Sequence, residues 1–129
     1  MASKDSFERS LSKIAEIDAS GYQLNSVLAV TEDLTFNEID GPLAGVPILI
    51  KDNIEALGLP ATAGSLALAD TPVVRDSTIA SRLRAAGATI IGSTNLSEWA
   101  NIRSGKSTSG WSAVGGLTAN PWKHAHSAG

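Results

Sequence analysis

An apolar run at residues 46–50 ends directly at a charged residue, Lys51, and constrains the fold more than any other stretch. Its length and its β-branched content predict a buried strand rather than a helix. Because side chains alternate between the two faces of a strand, Lys51 shares a face with Leu49 and lies at the strand's carboxyl end. Ligands bind at that end in open α/β sheets, so Lys51 is a candidate functional residue.

Two roles for Lys51 remain open from the residues alone. In the simpler interpretation the strand leaves the sheet there, and the ammonium lies in water with its methylene chain along the surface. In the other, a buried site keeps the amine neutral, and the amine then accepts a proton during catalysis. Burial under polypeptide that follows later in the chain would favour the neutral amine, because an ammonium group loses its hydration there.

A strand, a helix and a second strand are predicted in succession. The helix begins at Asp76 or Ser77 and ends at Gly87, and residues 88–91 form the second strand. The predicted apolar side of the helix consists of Ile79, Ala80, Leu83 and Ala86. This order predicts a parallel, right-handed βαβ unit, which places the residues that follow it at the same sheet edge as Lys51.

Other elements are predicted before and after this unit. Residues 5–19 have helical periodicity, and residues 27–30 form a short strand. The apolar side of this first helix consists of Phe7, Leu11, Ile14 and Ala15. Asn95 and Glu98 have the spacing of a capping box, which predicts a further helix after the second strand. The N-terminus of this helix would either belong to an ordinary βα turn or help to stabilise a developing anion.

Composition and charge exclude several classes of function. The sequence has no cysteine, which excludes a thiol nucleophile and a disulfide framework and suits a cytoplasmic protein. The net charge of −3, without a basic cluster, argues against nucleic acid and anionic membrane as partners. His124 and His126 lack a third ligand, so they are a weak indication of metal. No apolar run is long enough for a membrane span, and the start lacks the pattern of a secretory signal.

Three segments in order resemble the opening part of the amidase signature family. They are GPLAGVPILIKDNI from Gly41, TAGS from Thr62 and LRAAGATIIGSTNLSEWA from Leu83. The later segments SGWS from Ser109, GG from Gly115 and NPW from Asn120 are most similar to the peptide amidase branch of that family. The resemblance implies an α/β/α fold in which helices flank a mixed sheet.

The resemblance also implies a chemistry. It is the hydrolysis of a carboxamide to carboxylate and ammonia by a Ser–cis-Ser–Lys triad, without metal or cofactor, and Lys51 is the lysine of that triad. In the family, the bridging serine lies in a Gly-Ser-Ser-Gly-Gly-type loop shortly after the Asn-Pro segment, and the nucleophilic serine comes later. Neither has a match here, and Ser127 falls before the bridging position.

Residues 1–129 are therefore expected to be the N-terminal portion of a single amidase signature domain, with family motifs from about residue 41, and to be inactive alone. The expected partners are a small-molecule or peptide amide and the missing C-terminal part of the domain, in the cytoplasm. Two alternatives remain. One is a glutaminase-type subunit of a tRNA-dependent amidotransferase, from the same family. The other is a non-catalytic truncated remnant.

Overall fold

The computed structural model describes residues 4–32 and 35–128. The start of the chain, for which no secretory signal is predicted, lies partly outside the described residues. The helical elements are α1 (Lys4–Lys13) with a π-helical continuation (Ile14–Gly21), α2 (Thr78–Ala85), and two 3-10 turns (Leu66–Leu68 and Glu98–Asn101). The strands are β1 (Val27–Val30), β2 (Pro47–Lys51), β3 (Thr89–Thr94), β4 (Trp111–Ser112) and β5 (Gly116–Leu117).

Strand β3 is the centre of a three-stranded mixed sheet. Strand β2 pairs with it in parallel and is joined to it through α2, as predicted for a βαβ unit. Strand β1 pairs antiparallel with the other side of β3. The short strands β4 and β5 form a separate antiparallel hairpin. The predicted α/β class with a mixed sheet is therefore confirmed.

A bulge in β3 changes which side chains face the core. Ile48 pairs with Ile90, but the next residue, Leu49, pairs with Gly92, so Ile91 is the additional residue on β3. Ile90 contributes to the core on the α2 side of the sheet, whereas Ile91 lines a cavity on the α1 side. Both isoleucines are buried, which explains why apolar and polar residues do not alternate at residues 88–91.

Helices cover both faces of this sheet. On one face, Ala80 of α2 packs with Ile50 and Ile90, together with Ala56 and Leu59 from the loop after β2. On the opposite face, α1 and the strands line an open cavity of about 490 Å³. Its lining includes Lys13, Ile14, Pro47 and Leu49. No helix of the described residues has both the length and the apolar character needed to cross a bilayer.

Helix α2 begins and ends where its local sequence predicts. The Ser77 hydroxyl accepts a hydrogen bond from the Ala80 N–H at 3.2 Å, and Gly87 follows the helix with φ +91°. The prediction for Ile79 is wrong, because its side chain is 54% exposed and does not belong to the apolar side. Helical periodicity alone does not show how wide the covered part of a helix is.

The prediction of a helix after Asn95 is also wrong. Only the short 3-10 turn Glu98–Asn101 forms there, and within it Trp99 and Ala100 have φ +50° and +53°. Asn101 has φ +63°. Non-glycine residues pay about 1–2 kcal/mol each in this left-handed region, so other contacts must hold the turn in place.

Candidate active site

Lys51 is the last residue of β2, and Thr94, the last residue of β3, is its partner across the parallel pair. The predicted position at a strand's carboxyl end is therefore confirmed. The Lys51 side chain is exposed in this chain. Neither of the two ion pairs formed within residues 4–32 and 35–128 involves Lys51. The described residues thus place the amine at the ligand-binding edge but leave it open to solvent.

Asp52, the residue after Lys51, is fully buried and holds the segment 62–64 against the end of β2. Its carboxylate accepts hydrogen bonds from the backbone N–H of Thr62 and of Gly64, each at 3.2 Å, and from the Thr62 hydroxyl. The Ala63 N–H donates to the Asp52 carbonyl at 3.0 Å. These donors stabilise a buried carboxylate without a cation.

Segment 62–64 in turn positions two later segments of the chain. The Trp99 N–H donates to the Ala63 carbonyl at 2.9 Å, and the Val114 N–H donates to the Gly64 carbonyl at 3.3 Å. Gly64 has φ +76°, and a Cβ there would lie 2.7 Å from the Ser112 Cβ. A glycine is therefore required where the β4–β5 hairpin approaches this segment.

Asn95 fixes the β4–β5 hairpin to the end of β3, and this explains why it does not cap a helix. Its amide NH₂ donates to the Asn25 carbonyl at 3.1 Å, to the Gly116 carbonyl at 3.0 Å and to the Thr118 hydroxyl at 2.9 Å. Its Oδ1 accepts from the Ser112 hydroxyl at 2.7 Å. One side chain therefore connects segments from three regions of the sequence at the same sheet edge as Lys51.

Two polar residues at this edge, Asp52 and Ser93, were missed by the sequence analysis, and Asn95 was assigned to a helix cap that does not form. Asp52 and Asn95 each directly follow a β-strand, and this position was a sufficient reason to single them out. Ser93 is fully buried, and its hydroxyl is the buried side-chain group without a hydrogen-bond partner in the described part of the chain. Nothing in the sequence distinguishes Ser93 from an ordinary strand serine.

Two of the remaining polar residues contact backbone carbonyl oxygens of other segments. The His124 ring Nε2 contacts the Tyr22 carbonyl oxygen, and the Ser127 hydroxyl donates to the Ser109 carbonyl at 2.8 Å. Within residues 4–32 and 35–128, no group of three or more His, Cys, Asp or Glu side chains could hold a metal ion. Lys51, Asp52, Ser93 and Asn95 are thus the polar residues at the carboxyl ends of β2 and β3 on which the site is built.

Solved structures of amidases resemble this chain closely. The native peptide amidase from Stenotrophomonas maltophilia superimposes with a TM-score of 0.88 at 43% identity, over 94% of this chain and 27% of the other. An amidase family protein from Bacillus anthracis superimposes with a TM-score of 0.84 at 32% identity, over 92% of this chain and 26% of the other. Both comparisons cover nearly all of this chain and about a quarter of the solved protein.

Curated relatives include amidases and amidotransferase subunits. A putative amidase of Arthroderma benhamiae is 48% identical over 61% of this chain and 14% of its own length. A glutamyl-tRNA(Gln) amidotransferase subunit of Methanococcoides burtonii is 40% identical over 88% of this chain and 23% of its own length. This chain thus spans less than a quarter of either relative. The Amidase family model matches residues 21–129, and the chain therefore belongs to the amidase family, which is defined by the amidase signature.

Proposed function

We propose that the protein containing this chain hydrolyses a carboxamide to a carboxylate and ammonia, and that residues 1–129 are the N-terminal portion of its single amidase signature domain. The observation that carries the proposal is the place of Lys51, at the carboxyl end of β2 beside the Asp52-anchored segment 62–64. Membership of the amidase family supports the reaction class. A cytoplasmic location is proposed from the cysteine-free composition alone.

In this proposal the neutral amine of Lys51 accepts a proton from a bridging serine, which removes the proton of a nucleophilic serine. The nucleophile attacks the amide carbon and forms an acyl-enzyme. The proton held at Lys51 returns through the bridging serine to the leaving nitrogen, so that ammonia departs. Water then enters by the same relay and hydrolyses the ester. Both serines belong to parts of the family pattern that this sequence does not contain.

A peptide amide is the first candidate substrate. The Gly110-Trp111-Ser112 segment and the 43% identity to the Stenotrophomonas maltophilia peptide amidase support it. A glutaminase-type subunit of a tRNA-dependent amidotransferase is the second candidate, supported by the 40% identity to the Methanococcoides burtonii protein. Ammonia release from a peptide amide, and not from free glutamine, would favour the first candidate over the second.

The test of the proposal is the replacement of Lys51 in the full-length protein. Lys51→Ala is expected to lower kcat by about a hundredfold to ten-thousandfold, because the relay loses its proton acceptor. Lys51→Arg is expected to be equally defective, since a guanidinium group stays protonated. Ammonia release is measured for both variants beside Lys4→Ala, which replaces an exposed lysine of α1.

A folded Lys51 variant that retains more than about a tenth of wild-type turnover would contradict the relay role. Circular dichroism separates loss of chemistry from loss of structure. Sequencing the coding region beyond codon 129 tests the remnant alternative, because a reading frame that continues into a Gly-Ser-Ser loop is expected of an active amidase.

A further inference from the structure

A cavity of about 360 Å³ lies beside the segment that follows β3. Two indole rings and two basic side chains contribute to its lining: Trp99, Trp111, Arg103 and Lys106. Glu98 and Asn101 contribute as well. Its volume is within the range of small-ligand sites, which combine apolar surface with a few polar groups.

Two backbone hydrogen bonds connect this cavity to the strand that carries Lys51. The Trp99 N–H in the cavity wall donates to the Ala63 carbonyl at 2.9 Å, and the Ala63 N–H donates to the Asp52 carbonyl at 3.0 Å. Asp52 directly follows Lys51 in the chain. The cavity therefore belongs to the carboxyl edge of the sheet, where ligands of α/β proteins bind.

The wall of the cavity is strained. Trp99, Ala100 and Asn101 are consecutive non-glycine residues in the left-handed region. Besides the Trp99–Ala63 bond, the Asn101 side-chain amide donates to the Ser109 hydroxyl at 3.1 Å and closes the loop that carries both basic residues. Strained backbone of this kind persists where the surrounding structure enforces it, and it concentrates at ligand sites.

The lining of the cavity has an excess of one positive charge, because Arg103 and Lys106 stand against the single carboxylate of Glu98. Arg103 and Lys106 are exposed, and neither takes part in the ion pairs of residues 4–32 and 35–128. The carboxylate of Glu98 instead accepts a hydrogen bond from the Ala113 N–H at 2.9 Å. Trp111 is 44% exposed, so part of its ring is available to a ligand. The lining thus complements an anionic group next to a flat or apolar one.

We propose that this cavity binds the part of the amide substrate remote from the scissile bond, and that this part carries a carboxylate. The proposal rests on the proposed amide hydrolysis and adds a substrate class to it, namely acidic peptide amides. A contact made equally in the ground state and in the transition state lowers KM without raising kcat, so the contribution of the cavity should appear in KM.

The experiment compares two peptide amides on the full-length protein. N-acetyl-Glu-Phe-amide carries the carboxylate, whereas N-acetyl-Met-Phe-amide has a neutral side chain of similar length that contains no carboxamide. We expect kcat/KM for the acidic peptide to be about threefold to tenfold higher at low salt, through a lower KM. In 1 M salt the preference should shrink towards one, because exposed charges are screened.

The double variant Arg103→Gln/Lys106→Gln should bring the ratio of the two kcat/KM values close to one. The matched control, Lys4→Gln/Arg82→Gln, removes two exposed basic residues on helices and should keep the wild-type ratio. Equal kcat/KM for both peptides in the wild type overturns the acidic subsite and leaves the amidase proposal intact. A preference that survives in the double variant overturns the assignment to this cavity.

Equilibrium binding keeps the two proposals separable. If the wild-type protein hydrolyses neither peptide, the proposed reaction on peptide amides fails, and the dissociation constants of both peptides are then measured on the Lys51→Ala variant by isothermal titration. A threefold to tenfold lower Kd for the acidic peptide, lost in the Arg103→Gln/Lys106→Gln background, supports the subsite independently of turnover. Equal Kd values overturn it.

Discussion

Asp52 determines the geometry beside Lys51 through hydrogen bonds alone. Its buried carboxylate accepts from two backbone N–H groups and one hydroxyl, all within segment 62–64. That segment then accepts the N–H groups of Trp99 and Val114. One acidic side chain therefore sets the position of the loop, the strained turn and the hairpin, so that replacing it should disturb all three.

Asp52→Ala should lower the free energy of unfolding of the full-length protein by about 2–4 kcal/mol, because it leaves buried donors without an acceptor. Asp52→Asn should cost less, since one acceptor oxygen remains. Urea denaturation measures both variants, and Asp70→Asn, at an exposed loop aspartate, is the control. An Asp52→Ala protein with the same stability as the control would show that the carboxylate does not hold this edge together.

Ser77 and Asn95 show why some residues could be predicted from the sequence and others could not. Ser77 caps α2 through a partner three residues away, so its role is visible in a local window. Asn95 has the same kind of local signature, but its amide bonds to Asn25 and Gly116, which lie far from it in sequence. Local patterns cannot rank such distant partners.

The pairing of β1 with β3 depends on a close backbone approach at Gly92. A Cβ at this position would meet the Ala29 carbonyl oxygen well inside van der Waals contact, and it would lie 3.0 Å from the Leu49 Cδ2. The first of these neighbours is backbone of β1 and cannot rotate away. Any side chain at residue 92 therefore requires β1 to shift against β3.

Gly92→Ala should destabilise the full-length protein by about 1–3 kcal/mol through overpacking. It should also speed hydrogen exchange of the Thr31 N–H, which donates to the Ile91 carbonyl at 3.0 Å. Gly105→Ala is the control, because a Cβ there has no neighbour within 4 Å. Identical exchange of Thr31 in both variants would contradict the steric argument.

For helices and strands, the sequence predicts that an element exists better than it predicts the register in which strands pair. The strand predicted at residues 88–91 forms, yet β3 continues to Thr94, and the bulge at Ile91 is invisible in an apolar run covered on both faces. Alternation of apolar and polar residues reports register where one face meets water. Where helices cover both faces, apolar residues point to both sides of the strand, and this alternation is absent.

The described part of the chain exposes several large apolar side chains. Trp122 is 95% exposed and Ile102 is 82% exposed, and Val74 and Leu66 are also exposed. Strands β1 and β2 form the two edges of the described three-stranded sheet. Together with the match to only about a quarter of each solved amidase, this supports the proposal that further polypeptide completes the domain.

Residues 1–129 expressed alone are expected neither to fold stably nor to release ammonia from amides. Parallel strands are normally stabilised inside sheets that are covered and paired on both sides, and the matched nucleophile is missing. Circular dichroism on heating and an ammonia assay on a panel of amides measure the two properties, with the full-length protein as the control. A cooperative transition together with turnover above the uncatalysed rate would contradict the prediction.

For the molecule as a whole, the βαβ core could be predicted because β2, α2 and β3 follow one another in the chain. The antiparallel partner of β1 could not, since a four-residue strand carries no information about which later strand it joins. Burial of the Lys51 amine, on which its proposed catalytic role depends, could not be predicted either, and the described residues leave this side chain exposed.

The antiparallel pairing of β1 with β3 also has a consequence for the order of events during synthesis. About half of the sequence separates Val30 from Thr94, so at about 5–20 residues per second β1 leaves the ribosome seconds before its partner exists. During that interval its backbone N–H and C=O groups are without their later partner strand. Until residue 94 has emerged, β1 is thus an unpaired strand edge, a state in which aggregation competes with folding.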